Sequence, residues 1–236
     1  MTGALDRRSS PPTLRDVVEW DVRNWSRALL YWQSRTAIKL RGARALEIGA
    51  RRGGLSLWLA AHGCDVVCSD VQEPGPEARQ RHARFGVQDR VQYAALDVLR
   101  LPFEAEFDIV CFKSVLAAVG SGARSDLQAR AVAEIYRALK PTGEMWFAEN
   151  LAASRLHRFG RQKFVPWGAT CRYVTIGELE ELLAPFDEVA YDTTGFLGAF
   201  GRSERQRDIL GALDQALIAK LVPKRWRYVG FGIARK

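Results

Sequence analysis

Nothing in this 236-residue sequence stays apolar for the ~20 residues that a membrane-spanning helix requires. The opening stretch, MTGALDRRSSPPTLRD, lacks the apolar centre of a secretion signal and reads as a short loose tail. Cysteine is sparse. Cys64, Cys68, Cys111 and Cys171 have none of the paired spacings that hold zinc, and three of them fall in apolar stretches that suit buried free thiols. These absences point to a reduced, cytoplasmic setting. Acidic residues are missing from two blocks: residues 151–176 carry five Arg/Lys and no Asp or Glu, and the tail after Asp214 carries six and none. Within a net charge of +8, such blocks either attract anionic ligands through the long-range field or form a solvated basic surface. Internal repeats and low-complexity segments are also absent.

What is present is an ordinary globular composition, 47% apolar, on a length that suits one α/β domain. Helical periodicity runs through TLRDVVEWDVRNWSRALLYWQSRTAIKL, with Trp25, Leu29 and Trp32 on one face and Thr13 or Asp16 as cap. ARALEIGA, CDVVCSD, RVQYAALDV, FDIVCFKSV and EMWFAEN read as strands, and helices separate them, the longest over RSDLQARAVAEIYRALKPTG. The nearly continuous apolar run of FDIVCFKSV predicts a strand buried on both faces. That alternation predicts crossovers and a parallel sheet covered on both sides. Beyond Asn150 the rhythm changes. A basic segment, 151–175, reads as an inserted cap; then come a helix and strand in TIGELEELLAPFDEVAYDTTGFLG, a longer helix in SERQRDILGALDQALIAKLVP, and a terminal strand in RWRYVGFGIARK.

The stretch ALEIGARRGGLSLWLA reads as a buried strand, a glycine-bearing loop and an apolar helix. Glycines there let backbone approach a ligand, and the helix N-terminus offers free N–H donors. Acids stand at the ends of three successive strands: Glu47, Asp70 and Asp97. Asp70 lies 21 residues beyond Gly49, close to the ~20-residue spacing of an acid that binds ribose hydroxyls. Taken singly, Glu47 serves equally well as a cap for the next helix, and Asp97 as a cap for the turn before Pro102.

Taken together, these positions resemble the class I S-adenosylmethionine-dependent methyltransferases. In that family an acid precedes a Gly-x-Gly-x-Gly loop, matched here by Glu47, Gly49, Arg51 in place of the middle glycine, and Gly53. The Leu-Lys-Pro-Gly-Gly turn of the family appears as Leu139-Lys140-Pro141-Thr142-Gly143. The resemblance implies a Rossmann-like doubly wound, mostly parallel seven-stranded sheet with an antiparallel C-terminal strand. It divides the single domain into a tail and helical lid (1–41), a cofactor-binding core (42–150), a basic cap (151–175) and C-terminal helices and strands (176–236). It also implies S-adenosylmethionine as cofactor, with S-adenosylhomocysteine as product. By resemblance Asp70 would hold the ribose, Asp97 with Val98 the adenine, and Glu47 the ammonium of the methionine moiety; Lys113 and Ser114, at the end of the fourth strand, are placed to contact either cofactor or acceptor.

Two readings compete. Gly49-x-Arg51-x-x-Gly54 is a damaged dinucleotide fingerprint, which would suit an NAD(P)-dependent oxidoreductase, although Glu47 would repel a pyrophosphate and no Tyr-x-x-x-Lys pair is evident. A repurposed, non-catalytic protein of the same fold is the other. For methyl transfer, CFKSVL at the end of the fourth strand lacks the Asn/Asp-Pro-Pro-aromatic motif of base N-methylation, and no paired-acid metal site is evident. Glu149 and His157 are the candidate bases; Asn150, Arg158, Trp167 and Tyr173 are the candidate acceptor-binding residues. Arginines suit an anionic small molecule such as a sugar nucleotide or specialised metabolite. No RNA-binding module is recognisable, and the amphipathic ILGALDQALIAKLVPKRW allows contact with a membrane surface.

Overall fold

The computed structural model describes residues 11–165, 168, 170–218 and 221–236. Its core is a seven-stranded sheet of order β3-β2-β1-β4-β5-β7-β6. Strands β1 (Arg44–Ile48), β2 (Asp65–Asp70), β3 (Val91–Ala95), β4 (Phe107–Lys113) and β5 (Leu139–Asn150) run parallel. The last strand, β7 (Val229–Arg235), enters antiparallel between β5 and β6 (Glu188–Thr194). Strand order reverses between β1 and β4, and the carboxyl-end crevice at such a switch point is where open α/β sheets bind ligands. β1 and β4 are buried along nearly their whole length, as their apolar runs predict.

Two apolar layers cover the sheet. On one side α2 (Val22–Arg35) lays Trp25, Leu29 and Trp32 against the strands, and α3 (Gly54–Ala61) adds Trp58. Trp32 stacks on Trp146 at 5.7 Å and donates its indole N–H to the Gly232 carbonyl at 3.0 Å. On the other side α6 (Ser125–Ala138) and α8 (Ile176–Leu183) pack Val132, Ile135, Leu179 and Leu183 over Phe112 and Phe147. The remaining helices are α4 (Pro76–Arg84), α5 (Leu116–Val119), α7 (Arg155–Phe164) and α9 (Glu204–Leu213). Cys64, Cys68 and Cys111 are buried free thiols, and Cys171 is half-buried. Among the described residues no helix is long and apolar enough to cross a membrane.

Three elements differ from the sequence expectation. The N-terminal helix is broken: α1 (Leu14–Val18), capped by Thr13 in a reciprocal box with Asp16, stops at Glu19, and α2 starts after Asp21. Glu19 and Asp21 take left-handed φ values of 68° and 45°. Asp21 is pulled out of the helix by Tyr228, whose hydroxyl donates to Oδ2 at 2.5 Å, and by Asn24, whose Nδ2 donates to Oδ1 at 3.0 Å. Within the stretch expected as one long C-terminal helix, α9 passes into a π-helical turn at Asp214–Ile218. Asp214 there accepts the backbone N–H groups of Phe196, Leu197 and Gly198 at 2.8–2.9 Å.

The third difference lies at the start of β5. Phe107 pairs with Leu139 but Ile109 pairs with Glu144, so residues 140–143 bulge from the strand. Thr142 sits there at φ 67°, a conformation suited to glycine and strained for a β-branched side chain. Thr142→Gly should therefore raise unfolding stability by about 1 kcal/mol, the relieved strain exceeding the added unfolded-state entropy, or about 2–4 °C in Tm. Chemical and thermal unfolding measure it; a variant no more stable than the parent would show that the bulge carries no strain.

Candidate functional site

The loop between β1 and α3 is built from left-handed residues: Gly49, Arg51 and Gly53 have φ of 67°, 49° and 68°. A Cβ at Gly49 would come within 2.6 Å of Val115 Cγ2, and one at Gly53 within 2.6 Å of His82 Cε1. Both glycines therefore serve close packing within the chain itself. Arg51, which stands where the family has glycine, accepts the left-handed geometry at a cost of about 1 kcal/mol. Its backbone N–H donates to Asp70 Oδ2 at 2.9 Å, and its guanidinium lies 5.2 Å from the centre of the Trp20 ring. Arg52 points away to Glu77 at 2.6 Å.

The three acids divide. Asp70, half-buried at the tip of β2, takes one backbone N–H on each oxygen, from Arg51 at 2.9 Å and Val71 at 2.8 Å. A carboxylate has about four acceptor positions, so hydroxyl groups can still be received. Asp97 is exposed, with Oδ1 closing a turn on the Leu99 N–H at 2.9 Å and Val98 buried beside it. Glu47 is different. Its carboxylate is buried and accepts Leu55 N–H at 3.2 Å, Ser56 N–H at 2.7 Å and Ser56 Oγ at 2.5 Å. Burial pushes its pKa up to about 7 against those hydrogen bonds. Expected to face a cofactor ammonium, Glu47 caps α3, whose first-turn N–H groups have no intrahelical acceptor.

At the tip of β4, Lys113 places its ammonium 2.8 Å from the centre of the Trp20 ring and 4.8 Å from that of Trp25. Burial holds its pKa well below the ordinary lysine value. Trp20, carried by the break between α1 and α2, thus lies against both Lys113 and Arg51. Ser114 follows at φ 59°, and its hydroxyl accepts from Asn150 Nδ2 at 2.6 Å, joining the tips of β4 and β5. Glu149, expected as a base, is fully buried. It accepts Val115 N–H at 2.8 Å, Leu116 N–H at 2.7 Å and Asn150 N–H at 2.8 Å, and burial raises its pKa to about 7. It is the anchor of the loop into α5.

His157, the other expected base, is a core histidine. Nδ1 is paired with Ser154 Oγ at 2.7 Å and Nε2 with the Phe196 carbonyl at 2.8 Å, and the ring packs among Phe196, Phe200 and Tyr228. Burial keeps its pKa below the ordinary value, and with both nitrogens engaged it has no lone pair for a substrate proton. The basic cap also splits. Arg158 is exposed on the outer face of α7, while Arg161 turns inward, donating to the Leu151 carbonyl at 2.6 Å and lying 4.1 Å from the centre of the half-buried Tyr173 ring. Arg172 is held by Gln128 and Glu178. Trp167 lies outside the described residues.

The rim therefore brings together Asp70, Asp97, Arg51, Lys113, Trp20, Ser114, Asn150 and Arg161. Of these, Trp20 is the residue to which sequence reasoning assigns no site role. Ser114 was visible as part of CFKSVL, and Arg161 as the residue one turn beyond His157; Trp20 had no local signal. Carboxylate acceptors at the tips of β2 and β3 and cations by Trp20 fit a ligand with hydroxyl and amine edges at one end and a carboxylate at the other.

An unfolded glutamate titrates near 4.5 and folded Glu149 near 7, so the folded state holds an extra proton in that interval. The stability this proton contributes is complete below about pH 4.5 and is lost as pH rises through 7. Glu149→Gln removes this dependence. Between pH 5 and pH 8 the stability difference should move by about 2 kcal/mol in favour of the variant, read by urea unfolding. A difference that does not change with pH would contradict the assignment.

A family model described as a methyltransferase domain matches residues 46–147, the stretch from β1 to β5. The chain is 32% identical over 118 residues to a demethylmenaquinone methyltransferase of Clavibacter sepedonicus, covering 49% of this chain and 44% of that protein. It is also 32% identical over 106 residues to a ubiquinone biosynthesis O-methyltransferase of Leptothrix cholodnii, covering 41% and 45%. The matches thus span less than half the length of these curated relatives. Among solved structures, the Burkholderia thailandensis 1,6-didemethyltoxoflavin-N1-methyltransferase, with 1,6-didemethyltoxoflavin and S-adenosylhomocysteine bound, superposes with a TM-score of 0.58 at 21% identity, over 94% of this chain and 81% of that one. Sheet order and family match agree: from β1 to β5 the chain is similar to a methyltransferase domain, and its fold is that of the solved methyltransferase structures.

Proposed function

We propose that this chain transfers the methyl group of S-adenosylmethionine to a small-molecule acceptor held at the tips of β4 and β5. The observation that carries the reading is the pair of carboxylates, Asp70 and Asp97, that present acceptors to solvent at adjacent strand tips beside the left-handed loop at the switch point. The bound cofactor supplies an electrophilic methyl on a sulfonium. Asp70 would receive its ribose hydroxyls, Asp97 and Val98 would border its adenine, and Lys113 and Arg51 would face its carboxylate.

Methyl transfer from a sulfonium is an in-line displacement, so holding nucleophile and methyl in line accounts for most of what the protein must do. That suits this rim. Glu149 and His157 are committed to internal hydrogen bonds, which leaves approximation as the main device and favours an acceptor that needs little deprotonation. Ser114 and Asn150 supply polar contacts, and Arg161, the inward cation beside Tyr173, suits an acceptor with an anionic or phenolic oxygen. The relatives named for demethylmenaquinone, for ubiquinone biosynthesis and for 1,6-didemethyltoxoflavin support a small-molecule acceptor over a macromolecule. Buried free thiols fit a reducing, cytoplasmic setting.

Calorimetric titration tests the cofactor. S-adenosylhomocysteine should bind the wild-type chain and NADH should give no heat. Asp70→Ala should weaken the nucleoside by about tenfold or more, the scale of a charge-assisted hydrogen bond left unmade. NADH binding without S-adenosylhomocysteine binding would establish the oxidoreductase reading instead.

A further inference from the structure

The outer face of α7 is apolar and basic at once. Leu156, Phe159 and Phe164 are 56%, 57% and 70% exposed, although the helix has only ten residues. Phe200 stands beside them, 41% exposed, with a ring atom 3.8 Å from where a Cβ on Gly160 would sit. None of these exposed side chains is needed to seat the helix, because His157 and Arg161 hold its inner face to Phe196 and Leu151. So much apolar surface on one short helix marks a place where something docks.

Charge indicates what docks there. Arg155, Arg158 and Lys163 alternate with the apolar residues and are exposed, as are Arg202 and Arg205 just beyond Phe200. Among the described residues none of these five forms an ion pair. No acidic residue occurs between positions 151 and 176 to neutralise the helix. Apolar side chains interleaved with unpaired cations match a surface of hydrocarbon beneath anionic headgroups, the partner of interfacial helices. Location adds to this. Four residues after β5 ends, Ser154 caps α7, so the helix lies on the same rim as Asn150, and its inner Arg161 reaches Tyr173.

We propose that α7, with Phe200 beside it, docks on an anionic phospholipid surface and turns the acceptor entrance towards it, so that the acceptor is an amphiphile taken up from the lipid. The acceptor part of this inference rests on the methyl-transfer reading above; the docking part does not. With one short helix, binding is reversible and sensitive to salt.

Flotation of the full chain with vesicles decides it. Vesicles containing phosphatidylglycerol should carry the protein up, whereas phosphatidylcholine alone should carry far less. Leu156→Ser with Phe159→Ser should lower partitioning by about tenfold or more. Each of Arg155→Gln, Arg158→Gln and Lys163→Gln should lower it roughly fivefold. Equal partitioning to both vesicle types, no partitioning, or variants that float like the parent would overturn the proposal. So would light scattering that shows a dimer converted to monomer by the Leu156→Ser, Phe159→Ser pair, since the face would then cover a second copy. S-adenosylhomocysteine titration without vesicles separates the two readings: nucleoside binding without flotation removes only the lipid surface, and flotation without nucleoside binding removes only the cofactor.

Discussion

Two carboxylates buried at strand tips hold this rim together. Glu47 at the end of β1 and Glu149 at the end of β5 each accept three hydrogen bonds, mostly from the first N–H groups of a helix packed beside the strand. Removing a carboxylate from water costs several kcal/mol, and charge-assisted hydrogen bonds return about 1.5–3 kcal/mol each. In both glutamates burial outweighs the hydrogen bonds, which is why their pKa values stand near 7. The structural gain is positional. The loops after β1 and β4, which must shape any ligand site at the switch point, are tied to the sheet by side chains that cannot move without leaving N–H groups unsatisfied.

On that fixed frame the variable features sit further out. Arg51 replaces a small residue and pays in backbone strain, but its N–H anchors Asp70 and its guanidinium faces Trp20. Lys113 approaches Trp20 as well, so two basic side chains share one indole. Next to Trp20, Asp21 is held by Tyr228, a residue on the last strand's approach. The rim therefore joins the first helices, the glycine loop and the C-terminal strand into one unit.

Much of this was legible in the sequence. The alternation of strands and helices implied the parallel core, Trp25, Leu29 and Trp32 implied a buried helical face, and the acids marked the strand tips. Orientation was what the sequence withheld. A glutamate at a strand end reads the same whether it faces a ligand or a helix N-terminus, and both Glu47 and Glu149 face helices. The setting of His157 is hidden for a related reason: Ser154, three residues before it, is one partner, and Phe196, the other, is 39 residues away. The break at Glu19 to Asp21 had no local signal either, because it depends on a contact 207 residues distant. Helical phase separates inward Arg161 from outward Arg158, and that phase became readable only once the start of α7 at Ser154 was known.

The central claim concerns where an adenosine sits. A crystal structure of the chain with S-adenosylhomocysteine should show the nucleoside across the tips of β2 and β3, its ribose oxygens within hydrogen-bonding distance of the Asp70 carboxylate. Nucleoside bound at another surface, or an adenosine that never touches Asp70, would contradict the account.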